Sequence, residues 1–240
     1  MKLGSLLVLL AVLIGAAVCV RLGFWQLSRW REKQRLNAEL AARLEGPTLG
    51  IRLTSAAVDP PRGRVEARGR YDESRQILLG NRVRNGAPGV EVVTPLLVDS
   101  TTAILVNRGW LYAPDAATAR PDQYPEPGER GVIGIAEPLR QGIGGPALRV
   151  LELDSITLWS ARWLDRDSLA TRLPYRLAPF AIRQLPGSGV ADRPSRSRPA
   201  RYNESMHLSY AVQWFLFAAI LVGGTAILAW TRRATRTVPS

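Results

Sequence analysis

The sequence predicts a membrane protein of the α+β class, in which two transmembrane helices flank a mainly antiparallel β domain. Three observations carry this. Residues 3–20 form an uncharged apolar run bounded by Lys2 and Arg21, close to the roughly 20 residues that a bilayer requires. Residues 210–230 form a second such run, again without a charge. Between them, short β-favouring segments alternate with Gly, Asn, Asp and Pro clusters at the spacing of antiparallel strands. The 46% hydrophobic content of the 240 residues is concentrated at the two ends, so the middle is expected to be water-soluble.

Residues 3–22 are read as transmembrane helix 1. A secretory signal peptide is the competing reading, but the run exceeds the usual apolar length and lacks a small-x-small cleavage site. Val18 stands where lipidation at Cys19 would want a small residue, so a retained anchor is expected. Residues 23–46 continue as an amphipathic helix. Leu27, Trp30, Leu36, Leu40 and Leu44 recur at three- and four-residue steps, and Trp25 and Trp30 fall at headgroup level. Gln26 and Arg29, one turn apart, add a polar stripe that an anchor alone does not need; it is expected to face a partner.

Gly46 and Pro47 end that helix, and residues 47–63 read as linker. The β-rich domain is assigned to 64–185. Its expected strands are 64–71, 76–79, 90–97, 103–110, 132–136, 147–153 and 180–184, with Asn85-Gly86 as a hairpin turn. A short helix is expected from a cap at Asp165 or Asp167 to about Leu173, before Pro174. Residues 186–206, rich in Gly, Ser, Pro and Arg without apolar periodicity, read as a flexible tether back to the membrane. Transmembrane helix 2 is placed at 207–230 and a basic tail at 231–240.

The net charge of +12 is almost all arginine, Lys2 and Lys33 being the only lysines. The arginines are scattered and no recognition element accompanies them. Anionic membrane lipid and carboxylates are therefore the expected partners, and nucleic acid is not. The single Cys19 excludes a disulfide within the chain. With one histidine, and no CxxC, P-loop or GxSxG, a hydrolase or multi-histidine metalloenzyme is not expected. Asn203-Glu204-Ser205 matches a glycosylation sequon, taken as chance.

That one histidine, His207, stands where the polar lead-in meets the second apolar run. Tyr210 and Trp214 follow at i+3 and i+7, so the three share one helix face at the membrane surface.

Over nearly its whole length the chain resembles the surfeit locus protein 1 family of cytochrome c oxidase assembly factors. The residues that carry the resemblance are Gly23, Trp25, Gln26 and Arg29; Gly69 and Tyr71; Arg82, Gly86 and Gly89; Thr94, Pro95 and Leu96; Val106, Asn107, Arg108, Gly109 and Trp110; and His207, Tyr210, Gln213, Trp214 and Phe215. The region between Tyr112 and Pro199 matches loosely. The resemblance implies a membrane-anchored factor that helps build the haem a centre of oxidase subunit I, in contact with the haem a synthesis enzymes, its soluble domain outside the cytoplasmic membrane. Matching the family's histidine, His207 becomes the candidate axial ligand of haem a, with Tyr210, Trp214, Trp25 and Arg29 around it.

A haem needs an imidazole or thiolate ligand, an apolar slot and cations for its propionates. His207, the upper faces of the two spans, and Arg21, Arg29 or Arg201 are the candidates. The plainer alternative is a surface histidine marking a helix start. Arg108 is expected to pair with a carboxylate inside the domain, and Asn107 and the glycines there to shape a tight strand exit. Two functions of different class follow: a haem-handling chaperone, or a scaffold that stabilises an oxidase subunit by contact without a cofactor. Arg232, Arg233 and Arg236 argue for both termini on the cytoplasmic side; Arg21, Arg29, Arg31, Lys33 and Arg35 after the first span vote the other way, and the C-terminal cluster is followed.

Overall fold

The computed structural model describes residues 3–51, 61, 63–142, 148–154, 156–187 and 189–234. The chain forms two compact units, one of Met1–Leu40 with Ala200–Ser240 and the other of Ala41–Pro199. Ala147, much of the expected linker, and the basic tail from 235 on, Arg236 included, lie outside the described residues.

The first unit is a pair of long helices. Helix α1 (Leu3–Glu45) runs without a break through both the expected span and its amphipathic continuation, its last residues belonging to the second unit. Helix α3 (Ser205–Ala234) is the other, and both are long and apolar enough to cross a membrane. They run antiparallel: Gly15 lies by Leu221, Gly23 by Phe215, and Asn37 by Tyr202. The seam is written in sevens. Ala16, Gly23 and Asn37 are buried on α1, as are Ala211 and Ala218 on α3, with half-buried residues between. A seven-residue repeat keeps one stripe facing its partner, and small residues let the backbones approach where lipid supplies no hydrophobic drive. Leu6, Leu7, Leu10, Ile220 and Ile227 point outward, as lipid-facing side chains do.

The second unit is a nine-stranded sheet that closes on itself. Its strands are β1 (Thr48–Gly50), β2 (Arg64–Tyr71), β3 (Ile77–Arg84), β4 (Ala87–Leu97), β5 (Thr102–Tyr112), β6 (Glu129–Pro138), β7 (Arg149–Leu153), β8 (Ile156–Ala161) and β9 (Arg176–Gln184). The order is β1-β2-β6-β9-β5-β4-β3-β8-β7, and an extra pairing of β2 with β4 joins β2, β6, β9, β5 and β4 into a ring. Val65, Ala67, Leu96, Ile104, Val106, Val132, Phe180 and Ile182, drawn from all five ring strands, fill its interior. Closure there needs a bare backbone: a Cβ on Gly69 would collide with the Leu97 carbonyl. On the other face the short helix α2 (Arg166–Ala170), capped by Asp165, buries Leu169 against Ile77, Leu105 and Ala181.

Most neighbours are antiparallel, but β1–β2, β3–β8 and β5–β9 are parallel. The β3–β4 hairpin turns at Asn85 and Gly86, at φ of 51° and 79°, as a two-residue turn with both centres left-handed requires. Two segments differ from expectation. Residues 48–50 of the expected linker pair with β2, and β8 is a strand where none was expected.

The expected tether at 186–206 is corrected more deeply. Its stretch to Pro199 lies with the sheet. Ser195 and Trp110 exchange two backbone hydrogen bonds of 2.8 and 3.0 Å, and the Arg84 guanidinium donates to the carbonyls of Ser195 and Arg196 at 2.7 and 3.2 Å. Arg196 is buried, donating from Nε to Gln184 Oε1 at 3.0 Å and ion-pairing with Glu126. Apolar periodicity could not mark this strap, because backbone and guanidinium bonds fix it. The last residues before α3 belong to the helical unit, where Tyr202 N–H donates to Asn37 Oδ1 at 2.8 Å and Asn37 Nδ2 donates back to the Tyr202 carbonyl at 3.0 Å.

Candidate functional site

His207 lies in the first turn of α3, half-buried, with its Nδ1 2.8 Å from Gln26 Oε1 on α1. The amide oxygen can only accept, so Nδ1 is the donor, and in the neutral tautomer that this contact selects Nε2 keeps its lone pair. Nε2 has no partner among the described residues. This is the arrangement a ligating imidazole adopts: one ring nitrogen held by an outer hydrogen bond, the other free for a metal.

The expected polar stripe on α1 divides. Gln26 turns to His207, whereas Arg29 turns along its own helix, 2.8 Å from Glu32 and 5.8 Å from the Trp25 ring. Trp25 and Tyr210 are half-exposed, and the Tyr210 hydroxyl has no hydrogen bond among the described residues. Trp214 is partly buried, edge-on to Phe217 at 5.9 Å. The structure thus joins His207 to Gln26 and leaves Tyr210, Trp25 and Arg29 on open surface. The seam is closed at the same level, because Phe215 packs onto Gly23, within 2.7 Å of where a Cβ would stand, and edge-on to Phe24 at 5.3 Å. A tetrapyrrole on His207 would therefore lie against the outward-facing side chains. The residues present fit the ligand role and the propionate role, Arg21 and Arg201 being exposed and without ion pairs among the described residues.

The sheet unit holds a buried charge cluster of its own. An extra residue on β5, between Asn107 and Gly109 opposite Val92 and Val93, makes a bulge that aims Arg108 into the end of the ring. Arg108 is completely buried. It pairs with Glu126 at 2.8 Å, donates to the Tyr124 carbonyl at 2.6 Å, and lies 5.1 Å from the Tyr71 ring. Burial works to raise the Glu126 pKa, but the guanidinium groups of Arg108 and Arg196 outweigh it and hold the carboxyl below its ordinary value. Burial likewise pushes the Tyr71 hydroxyl up. A second cluster gathers Arg183, Glu91, Glu137 and Arg82, with Arg183 3.0 Å from Glu91. These are structural ion pairs, and Arg108 has the internal carboxylate that its position predicts.

The polar stripe was expected to face a partner, and Gln26 does so, but nothing in the sequence tied it to His207, 181 positions away. The Asn37–Tyr202 pair had no local signal at all, apart from an asparagine on the leucine stripe.

Comparison with known proteins gives a consistent picture. The family model described as SURF1 family matches residues 13–219. A SURF1-like protein of Rickettsia felis is 36% identical over 103 residues, covering 42% of this chain and 45% of that protein. One from Dictyostelium discoideum is 32% identical over 101 residues, 37% of each chain. In both, the matched stretch spans less than half the relative's length. One from Monosiga brevicollis is 28% identical over 225 residues, 88% of this chain and 83% of that protein.

Proposed function

The chain belongs to the SURF1 family, and on that premise we propose that it is a non-enzymatic assembly factor for a haem-copper cytochrome c oxidase, which holds haem a on His207 and passes it to subunit I. The observation that carries the proposal is the Gln26–His207 hydrogen bond, which leaves Nε2 ready to ligate. Haem a, when bound, supplies the redox centre of the finished oxidase; this chain only holds it. In this reading Trp25, Tyr210 and Trp214 would give the macrocycle an aromatic surface, and Arg21 or Arg201, or Arg29 once drawn off Glu32, would hold its propionates. The protein sits in the cell membrane with both termini cytoplasmic and the sheet unit outside, where the haem a synthesis enzymes and subunit I meet it.

The test is the visible spectrum of the detergent-purified protein after co-expression with haem a synthesis enzymes. The wild type is expected to carry a haem a band and His207→Ala to lose it while remaining membrane-integrated. Gln26→Leu keeps the ring but releases its orientation, so occupancy should fall about 10- to 100-fold and the band should shift. No band in folded wild type would refute haem binding. A second reading then stands, a scaffold that packs against an oxidase subunit without a cofactor; it is favoured by Phe215 closing the helix seam at Gly23.

A further inference from the structure

Arg64 opens β2 with its side chain on the outer face of the closed ring, where it lines a cavity of about 260 Å³. Leu44, Ile133, Leu185 and Val190 form the apolar wall, and Arg198 from the strap supplies a second guanidinium. Neither arginine makes an ion pair or hydrogen bond among the described residues, and Nε of Arg64 is fully shielded from solvent. A shielded guanidinium N–H without an acceptor is costly, and a native fold that tolerates one ordinarily has an acceptor to offer it. Glu66 stands two residues along the same face, but Arg68 engages it at 3.3 Å. No carboxylate lines the cavity among the described residues.

We propose that this cavity, between Arg64 and Arg198, is a binding site for a phosphate group, either the headgroup of an anionic phospholipid or free phosphate. Two guanidinium groups from separate elements suit a tetrahedral oxyanion that can take a fork from each. The apolar wall suits the glycerol and first methylenes of a lipid. The volume falls below the roughly 300–1,000 Å³ of sites for drug-sized ligands, so a headgroup fits and a macrocycle does not. The site shares no residue with the His207 face and stands independently of the haem reading.

The full-length protein in neutral detergent is titrated with dihexanoyl phosphatidylglycerol and, separately, with sodium phosphate. Binding is read by thermal melting and native mass spectrometry. Arg64→Gln and Arg198→Gln should each weaken saturable binding about tenfold, as expected for one charge-assisted contact. Arg149→Gln, removing the same charge from the edge strand β7, should leave it unchanged. Saturation by phosphate alone with the same sensitivity identifies the free anion; saturation only by the lipid identifies a headgroup. If Arg64→Gln fails to fold, the exposed Arg198 carries the test. The proposal is overturned if wild type saturates with neither probe, or if Arg149→Gln weakens binding as much. His207→Ala should bind as wild type does, so this result and the haem result fail separately.

Discussion

Glu126→Gln should lower the stability of the sheet unit by about 3–5 kcal/mol, because it strands two arginines in the interior. Glu126 is the shared counter-charge of Arg108, which is wholly buried, and Arg196, which is nearly so. The amide keeps the shape and can still accept a hydrogen bond, so the loss isolates the charge. For a unit of this size the melting temperature should drop by roughly 10 °C, followed by circular dichroism of the β signal in detergent. A drop of only a degree or two would mean that water or the nearby Glu73 already neutralises Arg108. The same carboxylate sets a pH dependence. Its folded pKa lies below the ordinary value of 4.5, so its stabilisation is complete above that value and disappears as the pH falls through the folded value. Glu91, which burial would raise but which Arg183 and Arg82 hold below the ordinary range, acts in the same direction. As the pH falls below about 4.5 the wild type should therefore lose melting temperature more steeply than Glu126→Gln.

Gly109→Ala should release the strap. Gly109 has a φ of +121°, where a side chain is strained, and its Cβ would stand 2.5 Å from the Ser195 carbonyl oxygen and 3.0 Å from the Arg196 nitrogen. Backbone strain of about 1–3 kcal/mol is only part of the cost. The larger part comes from pushing out Ser195, with its two bonds to Trp110, and with it the buried Arg196. Trypsin, which leaves the Arg193-Pro194 and Arg198-Pro199 bonds uncut, should then cleave rapidly after Arg196 in the variant and slowly in the wild type. Equal cutting rates would show the strap to be open already. Because both changes act through Arg196, Gly109→Ala with Glu126→Gln should cost less than the sum of the two.

The elements legible in the sequence were those whose signal is local. β2 was readable to the residue, since RVEARGRY alternates and ends at turn residues. Asn85-Gly86 and the Asp165 cap are short-range chemistry that no tertiary contact needed to assist. β8 was missed although Ile156, Thr157 and Trp159 favour strands and it forms a hairpin with the adjacent β7; the pairing that ties it into the sheet is the parallel one with β3, some 80 residues earlier. The strap was missed for the same reason: Ser195 and Arg196 are polar residues whose partners, Trp110, Arg84 and Glu126, are distant. Composition reports apolar burial and is blind to burial bought with arginine.

The candidate site divides in the same way. The face shared by His207, Tyr210 and Trp214 follows from helical spacing. The Gln26 contact needs the antiparallel pairing of α1 with α3, which seven-residue spacing of Ala16, Gly23, Ala211 and Ala218 permits but does not register. The closing of the seam by Phe215 on Gly23 depends on that register to within a turn.

The place of β9 bears on how this protein is made. It is the last of the strands among the described residues, yet it lies between β5 and β6 in the middle of the sheet. Until residues 176–184 have been synthesised, β5 and β6 present unpaired edges and Phe180 and Ile182 are missing from the ring interior. Ring closure is thus a late event, which waits until β9 has been synthesised and has left the ribosome, when the strap has already been added. A ribosome stalled before Arg176 would hold an open, edge-exposed sheet, and one stalled soon after Gln184 would hold the same open sheet, because β9 must first clear the exit tunnel. The interval in which the nascent chain is open to wrong pairing therefore lasts into the synthesis of α3.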